Sequence, residues 1–266
     1  MVAEKFCGLA EPTNLKIPES FLESDELSTS EKGFLQRVYA DGLNHYERRL
    51  ARLGFQGKDE VLDSGCGFGQ WSFALAKTCR HVTAIDISPA RIKTCKQLAE
   101  MNLVQNVTFL EGKLENLPFS APQFEAIFCY SALYLTDHLQ VLQEFYRVLK
   151  SNGSLYLSTN GLGKYLHDII YNPNSTVDFS PRVFSLKTLL NSLLGTRTGL
   201  SPKKGGIVMS QRGIMSHLRL IGFVDVKSGG DGMLSGNAGV DETPLSFYNE
   251  RFLGFENVFE VLARKP

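Results

Sequence analysis

The segment that most constrains the fold is an apolar run that ends in a carboxylate and is followed by three glycines at alternate positions. Residues 61–70 read Val-Leu-Asp-Ser-Gly-Cys-Gly-Phe-Gly-Gln, and residues 71–76 have the composition of a helix. A strand, a glycine loop and a helix in this order bring backbone amides and a helix N-terminus close to a ligand. Glycine suits such a loop because a side chain would keep the ligand off the backbone and because positive φ angles occur there.

Two ligand classes compete for this loop. A dinucleotide site has Gly-x-Gly-x-x-Gly, in which the third glycine packs the helix against the strand. Gly65 and Gly67 fit that pattern, but the third glycine is Gly69 and Gln70 stands in its place. Asp63 lies two residues before the first glycine. An acid there attracts an ammonium group and repels a diphosphate. The loop therefore favours a nucleoside that carries an amino acid, and an NAD(P)-dependent oxidoreductase is the alternative.

A second acid ends the next predicted strand. Residues 81–86 read His-Val-Thr-Ala-Ile-Asp. In a right-handed βαβ unit the tip of the second strand lies beside the glycine loop, where a carboxylate can accept hydrogen bonds from ribose hydroxyls. Ser88 and Pro89 supply a cap and a first-turn proline for the following helix. Asp86 is therefore predicted to be free for the ribose.

These residues resemble the class I S-adenosylmethionine-dependent methyltransferases, in their small-molecule branch. The resemblance covers roughly residues 55–160 and includes Leu-Pro-Phe at 117–119 and Lys-Ser-Asn-Gly at 150–153. It implies an α/β fold with a doubly wound, Rossmann-like, seven-stranded sheet, mostly parallel with an antiparallel last strand. N-terminal helices and a helical cap insertion complete the expected fold. The implied cofactor is S-adenosyl-L-methionine, with S-adenosyl-L-homocysteine as the product.

The resemblance also implies which residues border the cofactor. They are Asp63, Gly65, Cys66, Gly67, Gly69, Asp86, Ile87, Lys113, Leu114, Glu115, Cys129, Tyr130 and Tyr39. Ile87 is expected on one face of the adenine, and Tyr39 over the methionine end. The family commonly has an acid where Lys113 stands, and lysine cannot accept a hydrogen bond from the adenine amino group. Leu114 can still offer its backbone amide there.

Four segments are predicted. Residues 1–54 form an N-terminal arm and helices that cover the cofactor site, with one or two helices between Ser30 and Gly54. Residues 55–160 form the cofactor-binding core, residues 161–208 a cap over the acceptor, and residues 209–266 the end of the core sheet. A turn is predicted at Asn152–Gly153, and helical pieces are predicted in the cap near 164–171 and 186–194.

Composition limits the partners and the compartment. Lys and Arg together number 28, as do Asp and Glu, and the local candidates for a basic patch are Arg48–Arg49 and Lys203–Lys204. No nucleic-acid partner is expected. The five cysteines are scattered without disulfide or metal spacing, so reduced thiols, no metal and a cytoplasmic location are expected. No apolar run has the roughly 18 residues of a membrane span. Oligomeric state stays open.

The predicted reaction is methyl transfer to O, N or C of a small organic metabolite by in-line displacement. The fourth predicted strand ends in Cys-Tyr-Ser-Ala at 129–132, which lacks the Asn/Asp-Pro-Pro-aromatic ending of enzymes that methylate bases or glutamine amides. Positioning and exclusion of water would do most of the catalysis. His167 and His138 are the candidate general bases. Asp168 follows His167, but adjacent helical residues point apart. A non-catalytic methyltransferase-like binding module is the remaining alternative.

Overall fold

The computed structural model describes residues 15, 17–23, 25–196, 200–201, 203–236 and 245–266. The helices are α1 (Glu19–Glu23), α2 (Thr29–Tyr39), α3 (Asn44–Leu53), α4 (Gln70–Ala76), α5 (Pro89–Met101), α6 (His138–Val148), α7 (Leu162–Tyr171), α8 (Pro181–Leu193) and α9 (Gln211–Ile221). The strands are β1 (Glu60–Ser64), β2 (His81–Asp86), β3 (Val107–Glu111), β4 (Phe124–Tyr130), β5 (Leu149–Asn160), β6 (Val224–Gly230), β7 (Arg251–Phe252), β8 (Phe255–Glu256) and β9 (Val258–Arg264).

Seven of these strands form one sheet in the order β3-β2-β1-β4-β5-β9-β6. Every neighbouring pair from β3 to β5 is parallel, whereas β9 runs antiparallel to both β5 and β6. This confirms the predicted α/β fold with an antiparallel last strand. The strand order reverses between β1 and β4, so the loops after these two strands border the crevice in which such sheets bind ligands.

Helices cover both faces of the sheet, and each face has its own apolar core. One core packs α3, α4 and α5 against one face, and the other packs α6 and α9 against the opposite face. Residues 61–64 are buried because β1 is central and covered on both sides. This placement explains why β1 reads as an apolar run without alternation.

The N-terminal segment contains two longer helices, as predicted, and α1 precedes them. Ser28 begins α2 with a capping box, in which its hydroxyl accepts from the amide of Glu31 and the Glu31 side chain accepts from the Ser28 amide. Residues 1–14, 16 and 24 of the predicted N-terminal segment, with Cys7, lie outside the described residues. The other four cysteines are buried free thiols. In the described part of the chain, no helix has both the length and the apolarity to cross a bilayer.

One predicted boundary was wrong, and one hairpin was missed. Asn152 and Gly153 do not end an element, because β5 begins at Leu149 and passes through both. Asn152 has a left-handed φ of 62°, and its amide donates to the Lys265 carbonyl at 2.9 Å. The pairing of β5 with β9 thus continues the strand through a local bend that the sequence marks as a turn. The hairpin of β7 and β8 was not predicted at all, since each strand has only two residues.

Candidate functional site

The glycine loop forms a tight bend, residues 65–69, between β1 and α4. Gly65, Gly67 and Gly69 all have left-handed φ angles, of 76°, 57° and 81°. Gly69 is also packed closely, because a Cβ there would lie 3.1–3.3 Å from Phe73, Cys95 and Phe109. Gly69 therefore performs the helix-packing role that a dinucleotide loop assigns to a glycine one residue later.

The amides of this bend are used within the protein, which corrects the expectation that they face a ligand. The Gly65 and Cys66 amides donate to the Ile85 carbonyl at 2.8 and 3.0 Å. The Gly67 amide donates to Oδ2 of Asp86 at 2.9 Å. These bonds attach the bend to the end of β2. The groups that remain to recognise a ligand at this edge are mainly the side chains around the bend.

Asp63 lies at the carboxyl end of β1 and is 1% exposed. Its Oδ2 accepts a 2.6 Å hydrogen bond from the Ser72 hydroxyl in the first turn of α4. Burial raises the pKa of Asp63 to about 7, the Ser72 hydrogen bond lowers it, and the nearby charge of Asp86 raises it further. The site thus holds a carboxylate that lacks a compensating positive charge, and a ligand ammonium would supply one.

Asp86 lies at the end of β2, beside the bend, as predicted. It is not free, however, because it accepts hydrogen bonds from two backbone amides, those of Gly67 and Ser88, each at 2.9 Å. Ser88 caps α5 as expected, and Pro89 begins the helix. A carboxylate has about four lone-pair sites, so two further donors can still be accepted. Ile87, the next residue, is 63% exposed at this edge.

The loops after β3 and β4 complete the crevice. Leu114 is buried, and its Cδ1 lies 3.9 Å from the point where Gly65 would carry a Cβ, whereas Lys113 is exposed. Glu115 is used elsewhere, since its Oε1 accepts the Asp137 amide at 3.1 Å before α6. Cys129 is fully buried, and burial raises the pKa of its thiol to about 12. These four residues stay predictions as ligand contacts.

The N-terminal helix α2 lies directly on the bend. The hydroxyl of Tyr39 donates to the Phe68 carbonyl at 2.7 Å, and the rings of Phe34 and Phe68 are 5.7 Å apart. Cys66, in the same bend, is buried. Tyr39 therefore anchors the bend from outside, and its predicted place over the methionine end of the cofactor stays a prediction.

We expect Gly65→Ala to destabilise the protein more than Gly57→Ala does. Both glycines have similar positive φ, 76° and 72°, and a left-handed alanine costs about 1–2 kcal/mol at either. A Cβ on Gly57 meets nothing within 4 Å, whereas one on Gly65 overlaps the Cβ of Ala132 after β4. The overlap should add about 1–3 kcal/mol. Urea unfolding measures the difference, and Ala132→Gly should restore most of it. Equal losses would contradict the close approach.

The two candidate catalytic histidines lie in different clusters. His138 begins α6, and its ring centroid is 5.5 Å from that of His217 on α9. His167 lies on α7, where its Nδ1 is 3.2 Å from Oδ1 of Asp168. The expectation that His167 and Asp168 point apart was thus wrong. Lys164 also contacts Asp168, at 2.5 Å. The general-base role of either histidine stays a prediction.

A buried ionic cluster was missed by the sequence interpretation. Arg49, counted there with Arg48 as a basic pair, is 1% exposed, and its Nη2 contacts Asp231 at 2.5 Å and Glu260 at 2.8 Å. The Tyr156 hydroxyl lies 2.8 Å from both Arg49 and Glu260. A glutamate inside the apolar run of residues 258–263, and an arginine on the apolar stripe of α3, were signals that could have found this cluster.

The buried ionic cluster also holds residues 245–250 against the crevice. Asp231 accepts hydrogen bonds from the Phe247 and Tyr248 amides at 2.7 and 3.3 Å and from the Tyr130 hydroxyl at 3.2 Å. The Arg49 guanidinium lies over the rings of Trp71, Tyr130 and Phe247 at 5.1–5.8 Å. Tyr130, at the end of β4, is thereby fixed between the bend-to-helix junction and residues 245–250.

On the other side of this segment lies the cap. The Lys164 ammonium of α7 is 5.7 Å from the Tyr248 ring. The Tyr134 ring, just after β4, meets Tyr165 of α7 at 6.5 Å and Phe184 of α8 at 6.1 Å. Burial raises the pKa of Tyr134 to about 12. The helices predicted at residues 161–208 are therefore joined by aromatic contacts to the carboxyl end of β4.

Comparisons with known proteins agree with this geometry. Residues 61–153 match a family model described as a methyltransferase domain. A candidate methyltransferase of Geobacillus sp. (strain WCH70) is 34% identical over 140 residues, which cover 48% of this chain and 54% of that protein. A demethylmenaquinone methyltransferase of Listeria welshimeri is 33% identical over 99 residues, covering 36% and 42% of the two chains. The chain thus spans about half the length of the curated relatives it matches.

A solved structure shares the fold over most of the chain. Phosphoethanolamine N-methyltransferase 2 of Haemonchus contortus, in complex with S-adenosyl-L-methionine, superposes with a TM-score of 0.61 at 15% identity. The match covers 93% of this chain and 60% of that protein. Residues 61–153 are therefore a methyltransferase domain, and the sheet around it has the fold of an S-adenosylmethionine-dependent methyltransferase.

Proposed function

We propose that this chain transfers a methyl group from S-adenosyl-L-methionine to an O, N or C atom of a small organic molecule. The observation that carries the proposal is the pair of buried carboxylates, Asp63 and Asp86, at neighbouring strand ends on either side of the bend. Two negative charges there oppose a diphosphate and favour a ligand that offers an ammonium group and hydroxyl donors.

The residues around the bend fit this cofactor. Asp86 is already fixed by two backbone amides and keeps acceptor capacity for the two ribose hydroxyls. Asp63 is close to its own midpoint of ionisation at neutral pH, and an ammonium group would favour its charged form. The exposed Ile87 offers an apolar surface next to Asp86, which suits the adenine. When bound, the cofactor supplies a methyl group activated by the positive sulfur.

The acceptor is proposed to lie between the end of β4 and the cap. Tyr134, Lys164 and Tyr248 surround that region and come from three different segments. The names of the relatives give demethylmenaquinone and phosphoethanolamine as acceptors of those enzymes, which supports a small organic molecule here. The chain carries no net charge, which does not favour a nucleic-acid acceptor.

The proposed methyl transfer depends mainly on the alignment of the acceptor atom with the carbon–sulfur bond of the donor. An acceptor lone pair forms the new bond to the methyl carbon while the carbon–sulfur bond breaks, and its electron pair stays on sulfur. If the acceptor carries a proton, a base must take it. His167, oriented by Asp168 at 3.2 Å, is the proposed base for an alcohol or phenol. An amine can lose its proton to solvent.

Isothermal titration tests the proposed cofactor. We expect S-adenosylmethionine and S-adenosylhomocysteine to bind with one site per chain, while NADH gives no heat above dilution. The absence of binding at millimolar cofactor would overturn the proposal. Binding of NADH would favour the oxidoreductase instead. Binding of S-adenosylmethionine with no turnover of any small acceptor would favour a non-catalytic module.

The affinity for S-adenosylhomocysteine should rise with pH between 6 and 8. The pKa of Asp63 is about 7 in the free protein because the carboxylate is buried, and the ligand ammonium favours the charged form. Below pH 7 binding must expel a proton, so affinity should fall about ten-fold from pH 8 to pH 6. The folding stability of the free protein should change in the opposite direction. The folded pKa of Asp63 is raised above its unfolded value near 4, so its contribution to stability is full below about pH 4 and is lost as the pH rises to about 7.

The matched control for this pH dependence is Asp63→Asn. Asparagine keeps the shape of the side chain and an acceptor for the Ser72 hydroxyl, but it cannot titrate. The affinity of the variant for S-adenosylhomocysteine should therefore be lower and should change little between pH 6 and 8. Any pH dependence that persists in this variant belongs to the ligand or to other groups. An identical pH profile in both proteins would show that Asp63 does not face the ammonium group.

A further inference from the structure

Helix α8 of the cap has its apolar face turned outward. Val183, Leu186, Leu190, Leu193 and the adjoining Leu194 are 49–85% exposed. At 100° per residue these five side chains occupy one stripe of roughly 100° along the helix. Scattered exposed leucines are ordinary on a protein surface, but a contiguous stripe along a whole helix is not.

The inward face of α8 is the more polar one, which reverses the usual arrangement. Ser185 and Thr188 are fully buried, and Phe184 is the main apolar contact. The Thr188 hydroxyl accepts the Gly206 amide at 2.9 Å, and the Ser192 hydroxyl accepts the Val208 amide at 2.8 Å. The side-chain amide of Asn191 donates to the Lys204 and Gly206 carbonyls. These hydrogen bonds attach α8 to residues 204–208, and the exposed leucines make no contribution to that attachment.

Basic residues border this stripe on two sides. On α8 itself, Arg182 and Lys187 border the stripe on its two sides, and both are exposed. The Lys187 ammonium donates to the Lys203 carbonyl at 2.8 Å, which brings exposed Lys203 and Lys204 alongside.

We propose that the outward face of α8 binds the surface of a lipid bilayer that contains anionic lipids. The exposed apolar stripe and its basic border suit the membrane interface, where leucines reach the acyl boundary and lysines meet the headgroups. The inference concerns membrane binding alone and holds whether or not the chain transfers methyl groups.

Charge disfavours a second copy of this chain as the occupant. A two-fold contact through the stripe would bring Lys187, Lys203 and Lys204 of one copy close to the same residues of the other. Their mutual repulsion would oppose the gain from covering the leucines. An anionic headgroup layer has the opposite sign, so the charged border and the apolar stripe favour it together.

Vesicle co-sedimentation of the full chain tests the proposal. We expect binding to phosphatidylcholine vesicles that contain phosphatidylglycerol, weaker binding to phosphatidylcholine alone, and loss of the difference at high salt. Leu186→Ser/Leu190→Ser/Leu193→Ser should bind about 100-fold less tightly or worse. Lys187→Ala/Lys203→Ala/Lys204→Ala should lose about five-fold per charge on the anionic vesicles only.

Leu103→Ser is the matched control, because Leu103 is 82% exposed in the turn between α5 and β3, outside the cap. It should bind vesicles like the wild type, and all variants should keep the wild-type melting temperature, since the replaced side chains are exposed. The proposal is overturned if the wild type binds neither vesicle or if the leucine variant binds as well as the wild type. A wild-type dimer in solution that the leucine variant converts to a monomer would also overturn it, by assigning the stripe to a second copy.

Discussion

Asp86→Ala should weaken S-adenosylmethionine binding by about 100-fold or more, because two hydrogen bonds to a charged acceptor contribute about 1.5–3 kcal/mol each. The variant would also release the Gly67 amide, which Asp86 holds at 2.9 Å, so the bend itself should loosen. Titration calorimetry measures the loss. Asp86→Asn keeps the shape of the side chain and one acceptor oxygen, and its affinity should fall between those of the wild type and the alanine variant.

Asp59→Ala is the control for this experiment. Asp59 is exposed and immediately precedes β1, at the opposite end of the strand from the bend. Its loss should leave cofactor affinity unchanged. Unaltered binding by Asp86→Ala would show that the cofactor does not depend on this carboxylate, and it would remove the proposed ribose role of Asp86.

Arg49→Met should cost about 3–5 kcal/mol of unfolding free energy, because it leaves the buried carboxylates of Asp231 and Glu260 without their cation. Burial alone would lower the pKa of Arg49, but Tyr156, Tyr130 and the two acids raise it well above its ordinary value, so the guanidinium stays charged. Urea unfolding followed by circular dichroism measures the loss. Arg48→Met, on the exposed side of α3, should change stability by less than about 0.5 kcal/mol.

A double variant separates lost charge pairing from lost packing. Arg49→Met/Glu260→Gln removes the cation and one of the two acids, so it should be more stable than the sum of the single changes predicts. Strict additivity would mean that the cluster stabilises the protein through packing against Trp71 and Phe247 alone. A loss no larger than that of Arg48→Met would contradict the buried cluster.

The sheet and the bend could be predicted because local sequence encodes them. The apolar run before Asp63, the alternate glycines and the acid at the end of β2 are short patterns with fixed positions in a βαβ unit. The packing role of Gly69 was not predicted, because Cys95 and Phe109, two of its three close neighbours, come from later elements. The antiparallel β9 followed from the resemblance and is confirmed by its pairing with β5 and β6.

Contacts between distant parts of the chain could not be predicted. Arg49 meets Asp231 and Glu260 across 182 and 211 residues of sequence, and no local pattern joins them. The hydrogen-bond partners of the Gly65, Cys66 and Gly67 amides depend on the register of β2 relative to β1. Sequence periodicity does not specify this register. The turn at Asn152 was overridden by strand pairing, and the rotamers that join His167 to Asp168 are set by tertiary packing.

The most direct test of the proposed site is a crystal structure with S-adenosylhomocysteine bound. We expect the ribose hydroxyls to lie within hydrogen-bonding distance of the Asp86 carboxylate and the amino group to lie on the side of Asp63, with the sulfur facing Tyr130 and the cap. A ligand bound away from the crevice between β1 and β4, or one whose ribose contacts neither carboxylate, would contradict the proposed site.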